Sequence, residues 1–146
     1  MSLATVFSRA LSGMNAPLVE VEAHLANGLP AFNIVGLPDT EVKESRDRVR
    51  AAILQSGFDF PSKKITVNLA PADLPKDSGR FDLPIAIGIL IASGQIMVDD
   101  VAQYEFAGEL ALSGRLRPIR GALAMAVACA QSHRAFVLPS ESAEQA

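Results

Sequence analysis

The sequence predicts a single α/β domain in which helices pack on one side of a mixed β-sheet. The chain has 146 residues, of which 49% are hydrophobic and 20% are charged. That is enough for one core, because domains usually hold about 100 to 150 residues. The first third alternates apolar and polar residues with the period of strands, and helical and strand-like segments then follow each other. This order is typical of a two-layer α/β domain.

The first third is predicted to be strands. In residues 18–25 an apolar side chain stands at every second position, between Glu20, Glu22 and His24, as in a strand with one buried face. Asn27 and Gly28 favour a tight turn because both residue types tolerate positive φ, so the apolar run 31–37 is expected to be the returning strand. Residues 4–11 supply a further strand upstream.

A helix is predicted after Pro38, where Asp39 or Thr40 can cap the free backbone N–H groups. It ends at Gly57, a residue that suits the position just past a helix C-terminus. Residues 64–70 alternate isoleucine, valine and leucine with polar residues, which predicts a strand.

The second half begins with the turn-rich segment 70–81, followed by an apolar helix to about Ser93. Asp82 is expected to be its N-cap, with Pro84 in the first turn. This helix has no polar face, so it should be covered all round. Further predictions are a strand at 104–112, a helix at 119–133 and a strand at 135–138. The domain is expected to occupy residues 1–138, and the polar segment 139–146 to fray or to begin a linker.

Composition excludes several classes of protein. The one cysteine, Cys129, excludes an internal disulfide framework and is expected to be a packed, inert thiol. The longest apolar stretch, 83–92, is about half of the roughly 20 residues that a membrane helix needs. No secretory leader is apparent, so a cytoplasmic location is expected. The net charge of −3 argues against unselective polyanion binding but leaves room for a local basic surface.

The best candidate for nucleic-acid binding is a basic stripe on the first predicted helix. Its residues stand at i, i+3 and i+7 and have further cations nearby: Lys43, Arg46 and Arg50, with Arg48, Lys63 and Lys64. An alternative stays open, because Glu44 and Asp47 can neutralise the same helix through pairs three or four residues apart.

The turn-rich segment also leaves alternatives open. Asp73, Asp77 and Asp82 can hold a hard cation through oxygen ligands, or can serve as ordinary turn and cap residues. Lys76 and Arg80 stand just before a helix N-terminus, where an anion can bind. The sequence contains no Gly-x-x-x-x-Gly-Lys-Ser/Thr loop for nucleotide phosphates and no zinc-ligand spacing.

Three sequence blocks occur in order through these elements: GLPDTEVKESRDRVR at 36–50, ITVNLAPADLPK at 65–76 and GRFDLPIA at 79–86. They resemble the N-terminal domain of the magnesium-chelatase-like ATPases of the YifB/ComM family. The resemblance implies a Lon protease-like domain of ribosomal protein S5 domain 2-like fold, followed by an AAA+ ATPase module that binds ATP and Mg²⁺. The chain would then be part of a longer bacterial protein and would itself need no cofactor.

The Lon resemblance permits a test of catalysis, because Lon peptidases use a serine nucleophile and a lysine base. The Lon segment Pro-Lys-Asp-Gly-Pro-Ser-Ala-Gly aligns with residues 75–82 around an insertion at Ser78, and it places Arg80 at the serine. The segment Gly-Arg-Val-x-Pro-Ile-Gly-Gly-Leu-Lys aligns with 114–123 and places Leu123 at the lysine. Guanidinium stays protonated and leucine has no lone pair. The resemblance therefore implies a domain that is not an enzyme; the alternative, a cryptic peptidase, depends on Ser78.

A non-catalytic domain in this family is expected to serve assembly or DNA guidance. ComM-type proteins are hexameric helicases that promote branch migration in natural transformation. The implied partners are the ATPase module, neighbouring subunits and DNA, without a membrane or a small-molecule substrate. The implied contacts are Lys76, Arg80 and Arg120 together with the basic stripe. A protein-interaction module without DNA contact is the remaining alternative.

Overall fold

The computed structural model describes residues 2–74, 76 and 79–144. Its strands are β1 (Ser2–Arg9), β2 (Leu18–Ala26), β3 (Ala31–Val35), β4 (Lys64–Ala70), β5 (Tyr104–Phe106), β6 (Glu109–Leu110), β7 (Leu116–Arg117) and β8 (Ala135–Val137). Its helices are α1 (Asp39–Gln55), α2 (Asp82–Ala92), α3 (Ala122–Gln131) and α4 (Ser140–Ala143), with short 3₁₀ turns at Gly79–Phe81 and Val101–Gln103.

Six strands form one mixed sheet in the order β3-β4-β2-β1-β5-β8, and β6 pairs with β7 in a separate hairpin. Strand β2 is antiparallel to β1 and β4, whereas β3 is parallel to β4, and β5 is parallel to β1 and β8. The prediction of an α/β domain with helices packed on a mixed sheet is confirmed.

The predicted hairpin between residues 18–25 and 31–37 is wrong, because β4 lies between β2 and β3. The burial of the two strands explains the order. Ile65, Val67 and Leu69 of β4 are fully buried, which suits a central strand, whereas alternate residues of β3 are exposed and suit an edge. Strand β3, helix α1 and strand β4 thus form a parallel crossover unit in place of a hairpin.

The main core lies between the sheet and helices α1 and α2. Helix α2 crosses β1 and β2, and a Cβ added at Gly88 would come within 3.2 Å of the Ala23 side chain, so glycine permits this close approach. Ile85 and Ile89 are fully buried, and α1 adds Val49 to the same cluster. The expectation that the apolar helix is enclosed is confirmed.

Helix α3 lies against the opposite face of the sheet. Side chains alternate along β1, so Arg9 points away from the face of Val6 and the main core. The Arg9 guanidinium reaches the Ala128 carbonyl and the Ser132 hydroxyl at the end of α3. The helices therefore lie on both faces of the sheet, with α3 near β8, and the expectation that all helices lie on one side holds only for α1 and α2.

Several element ends differ from the predictions. Pro38 is the N-cap of α1 and Phe81 that of α2, and neither helix has a side-chain cap bond. At α2, the expected cap Asp82 is bonded to Ser45, Arg48 and Leu110 instead. Gly57 has φ 88° just past α1, as expected of a glycine there. The predicted strand 104–112 divides into β5 and β6.

Part of the segment 139–146, which is expected to fray or to begin a linker, is ordered in the structure: Ser140–Ala143 forms a helical turn. Ser142 is buried, and its hydroxyl accepts a hydrogen bond from the Ile119 N–H at 2.9 Å. No helix in the described part of the chain has the length and apolar character needed to cross a membrane.

Candidate nucleic-acid interface

The position aligned with the Lon serine contacts the start of the helix that carries the position aligned with the Lon lysine. Arg80, in the 3₁₀ turn before α2, is 1% exposed, and its Nη1 donates to the Arg120 carbonyl at 3.0 Å. The same nitrogen lies 3.2 Å from the Met125 sulfur. Leu123, on the first turn of α3 between these residues, is 59% exposed. Arg80 thus links the start of α2 to the start of α3. A Lon-type peptidase would need a nucleophile at this position. Ser78 and Asp77 lie outside the described residues.

Lys76 is also turned inward. It is 2% exposed, and its Nζ donates to the Pro71 carbonyl at 2.6 Å and the Leu74 carbonyl at 2.9 Å. Burial lowers the pKa of this amine. Backbone carbonyls inside the protein bind both charged groups, and the expectation that Lys76 and Arg80 meet a phosphate or a partner stays a prediction. The Arg120 residue is exposed.

Asp82 joins three elements and is neither a cap nor a member of a metal site. Its carboxylate, 1% exposed, accepts hydrogen bonds from Arg48 Nε at 2.6 Å, Ser45 Oγ at 2.9 Å and the Leu110 N–H at 3.1 Å. Burial raises the pKa of Asp82, although Arg48 opposes the shift. Among the described residues, no three His, Cys, Asp or Glu side chains gather as a metal site.

A second buried ion pair was missed by the sequence reasoning. Glu105 is fully buried and accepts hydrogen bonds from Arg9 Nε at 2.7 Å and Arg134 Nη1 at 3.1 Å. Burial tends to raise the pKa of Glu105, but the two guanidinium groups outweigh it and hold the pKa below its usual value. Arg9 within an apolar strand was the available signal, but its partner is 96 residues away.

Cys129 lies beside this pair. It is 1% exposed, and burial together with the Glu105 charge raises the pKa of its thiol to about 11. The expected packed thiol is confirmed.

The basic residues of α1 lie on two sides of the helix. Lys43, Arg46 and Arg50 of the stripe share one side, and Arg48 lies on the other. Lys43 is exposed and lies 3.8 Å from Asp47. Arg46 Nη1 donates to the Phe32 carbonyl at 3.1 Å, and the Arg50 guanidinium lies 5.2 Å from the centre of the Phe60 ring. Arg48 points instead to Asp82, away from the other three.

The acidic residues of α1 neutralise only part of the stripe. Glu44 lies 3.8 Å from Arg48 and Asp47 lies near Lys43. Within the described part of the chain, neither Arg46 nor Arg50 has a carboxylate within 4.0 Å. The self-neutralising alternative therefore does not extend to these two arginines.

Arg50 and Lys63, 13 positions apart, line one open cavity of about 190 Å³ beside β3. Phe32 and Phe60 form part of its wall, with ring centres 5.4 Å apart. Lys63 Nζ is held by Asn27 Oδ1 at 2.7 Å. We define the basic groove as this cavity and the side of α1 that leads to it; its residues are Lys43, Arg46, Arg50, Lys63, Phe32 and Phe60. Its aromatic members were not identified from the sequence.

The chain belongs to a known family. Residues 21–142 match the family described as subunit ChlI of Mg-chelatase. The chain is 53% identical over 146 residues to the competence protein ComM of Haemophilus influenzae, and 52% identical over 145 residues to the uncharacterized protein YifB of Salmonella typhimurium. These matches cover 100% and 99% of this chain but 29% of each relative. The expected YifB/ComM resemblance is confirmed, and the chain spans less than a third of these relatives.

The family name raises the question of Mg²⁺ and nucleotide binding. The sequence lacks the Gly-x-x-x-x-Gly-Lys-Ser/Thr loop, and in the described ranges the oxygen donors do not gather, because Asp82 is bound by Arg48 and Asp73 is exposed elsewhere. The described residues therefore do not fit a resident magnesium–nucleotide group.

Proposed function

We propose that this domain is a non-catalytic part of a larger magnesium-chelatase-like, ComM-type protein, in which it guides DNA. ATP and Mg²⁺ belong to an AAA+ module elsewhere in the cytoplasmic parent, which uses them in a hexameric motor for DNA branch migration. The observation that carries DNA guidance is the basic groove, where Arg46 and Arg50 of α1 have no acidic partner within 4.0 Å among the described residues and Lys63 joins them from the β3 side.

The electrostatics of the groove suit a phosphate backbone. The span from Lys43 to Arg50 is about 10 Å along the helix, at 1.5 Å per residue. A stacked strand carries one phosphate per roughly 3.4 Å, so several phosphates can pass this row. Because the chain as a whole is mildly acidic, with a net charge of −3, binding should be confined to this surface and should weaken with salt.

A triple charge reversal tests the proposal. Lys43→Glu, Arg46→Glu and Arg50→Glu together should abolish most binding of a labelled DNA oligonucleotide at low salt. The remaining affinity should fall less steeply with salt, with a slope smaller by about two to three, since each phosphate contact contributes about 0.7 to 0.9. Fluorescence anisotropy at several salt concentrations measures both quantities.

The matched control reverses Arg115, Arg117 and Arg120, three exposed arginines at or beside the β6-β7 hairpin, and makes the same change in net charge. This variant should keep its affinity within a few-fold. Loss of binding in the control with none in the groove variant would overturn the assignment of the surface. Thermal unfolding of both variants shows whether the fold is intact.

Subunit assembly is the second candidate function, favoured by α3. Leu123 and Val127 stand one turn apart, are 59% and 49% exposed, and belong to a helix that carries no charged side chain. If this face joins copies of the chain, Leu123→Glu should lower the mass observed by sedimentation velocity at high concentration. Equal sedimentation of both proteins would count against it.

The non-catalytic part of the proposal has a direct test. The chain should not hydrolyse unfolded casein, because Arg80 and Leu123 replace the two dyad groups. Cleavage that disappears in Ser78→Ala would establish the peptidase alternative.

A further inference from the structure

We infer that the basic groove binds single-stranded nucleic acid and seats one unpaired base in the cavity, against the Arg50 guanidinium and beside the aromatic wall formed by Phe32 and Phe60. This inference rests on the proposed DNA function and specifies its substrate class. Charge alone would let this surface contact only the phosphate backbone of DNA. The inference adds a contact with a base.

The wall of the cavity has the chemistry of a base site. Both phenyl rings are half-buried, pack against the main core and line the cavity. Every base has a π-face, so a ring at the wall of a groove accepts any of them. Pro30 and Pro61 border the same space, and their rigid rings help to keep it open.

Arg50 is already placed for stacking. Its guanidinium lies 5.2 Å from the Phe60 ring centre, within the range of a cation–π contact. A guanidinium is planar and stacks on flat π-systems. Because the ring restrains Arg50, less side-chain freedom is lost when a base lies against it.

Cations stand on both sides of the base position. Lys63, restrained by Asn27, lies at the end of the cavity, and Arg46, restrained by the Phe32 carbonyl, lies one turn along α1 from Arg50. These two can hold the phosphates that flank a seated base. A strand can therefore run from Lys63 past Arg50 toward Lys43.

A duplex cannot use the cavity in this way. Its bases are stacked and paired inside the helix, so only its phosphates can meet the rim. An unpaired base can turn out of the strand and enter. The groove should thus prefer single strands, whereas a surface that is only basic should favour the duplex because of its higher charge density.

The first experiment compares two phenylalanines. A labelled oligothymidine and a duplex of equal length are titrated at low salt with the chain, with Phe60→Leu, and with the control Phe58→Leu. Phe58 is also half-buried but lines a different crevice, beside Ile53 and Leu83. Phe60→Leu should weaken oligothymidine binding about tenfold and leave duplex binding unchanged, because it removes one stacking contact. Phe58→Leu should change neither.

Phe60→Tyr guards against a folding artefact, because it keeps the aromatic face and should keep the affinity. An equal loss in Phe60→Leu and Phe58→Leu, or in Phe60→Leu for both nucleic acids, would overturn the inference.

The second experiment removes the bases. An abasic strand with the same phosphates should bind the chain about tenfold more weakly than oligothymidine, and Phe60→Leu should cause no further loss on it. Equal binding of both strands would reject the base site while leaving DNA guidance intact. No binding of any nucleic acid, with capture of an acidic peptide instead, would reject both.

Discussion

Helix α1 uses the same residue type in opposite ways on its two sides. Arg48 points toward α2 and donates at 2.6 Å to the Asp82 carboxylate, which is 1% exposed. Arg46 and Arg50, each two positions away, point to the other side and border the basic groove. Residues two apart are separated by about 200° around a helix of 3.6 residues per turn. Alternate arginines therefore divide between internal structure and an outer surface.

This difference shows that a count of positive charges does not measure a binding surface. Arg9, Arg48 and Arg80 serve internal contacts with Glu105, Asp82 and a backbone carbonyl respectively. These three guanidinium groups are occupied inside the protein, whereas no carboxylate of the described residues lies within 4.0 Å of Arg46 or Arg50. The two sets should respond to mutation in different ways, since buried pairs affect stability and exposed cations affect binding.

The largest effect is expected at Glu105. Glu105→Gln leaves Arg9 and Arg134 beside a neutral amide in a buried site, and loss of one partner of a buried pair costs about 3 to 5 kcal/mol. The free energy of unfolding in urea measures this. The exposed Glu20→Gln on β2 is the control and should stay within about 0.5 kcal/mol. If Glu105→Gln lowered the free energy of unfolding by less than about 1 kcal/mol, the buried pair would not be a main source of stability.

An intermediate effect separates the two sides of α1 directly. Arg48→Gln removes charged hydrogen bonds to Asp82 and should lower the free energy of unfolding by about 1.5 to 3 kcal/mol. Arg50→Gln, the matched change one half-turn further, loses only its contact with Phe60 and should lower it by less than about 1 kcal/mol. In DNA binding the order should reverse. Equal stability losses would show that the two sides do not differ.

The smallest effect is a pH dependence of opposite sign at the two carboxylates. The pKa of Glu105 is lowered in the folded protein, so its contribution is present above the unfolded pKa of about 4.3 and is lost as the pH falls through the folded pKa. The pKa of Asp82 is raised, so its contribution is present below about 3.9 and is lost as the pH rises through the folded pKa.

Unfolding free energies of Glu105→Gln, Asp82→Asn and the unchanged chain between pH 3 and 6 test this. The difference between the unchanged chain and Glu105→Gln should shrink toward acid, and the difference for Asp82→Asn should shrink toward neutral pH. Parallel trends in both variants would contradict the assigned signs.

The sequence predicted most of the elements and part of the site. Strand β4 at 64–70 agrees with its prediction, because Ile65, Val67 and Leu69 form an uninterrupted alternation. The stripe at Lys43, Arg46 and Arg50 follows from helical spacing alone. The placing of β4 between β2 and β3 does not follow, since strand order depends on which strand buries both sides. The sequence names Lys63 near the stripe but does not place it at the cavity, and it does not identify Phe60, because the loop after α1 decides that both residues meet Arg50.

By itself, the sequence determined the family and the α/β class, and it predicts that Arg80 and Leu123 stand where a Lon peptidase has its serine and lysine. These depend on local spacing and on residue identity, which the chain carries in order. Only the tertiary structure decided which cations are available: Lys76 and Arg80 are turned inward, whereas Arg50 meets Lys63 at a cavity. The reason is that burial and ion pairing depend on residues distant in sequence, such as Arg9 with Glu105, which become neighbours when the sheet and helices pack.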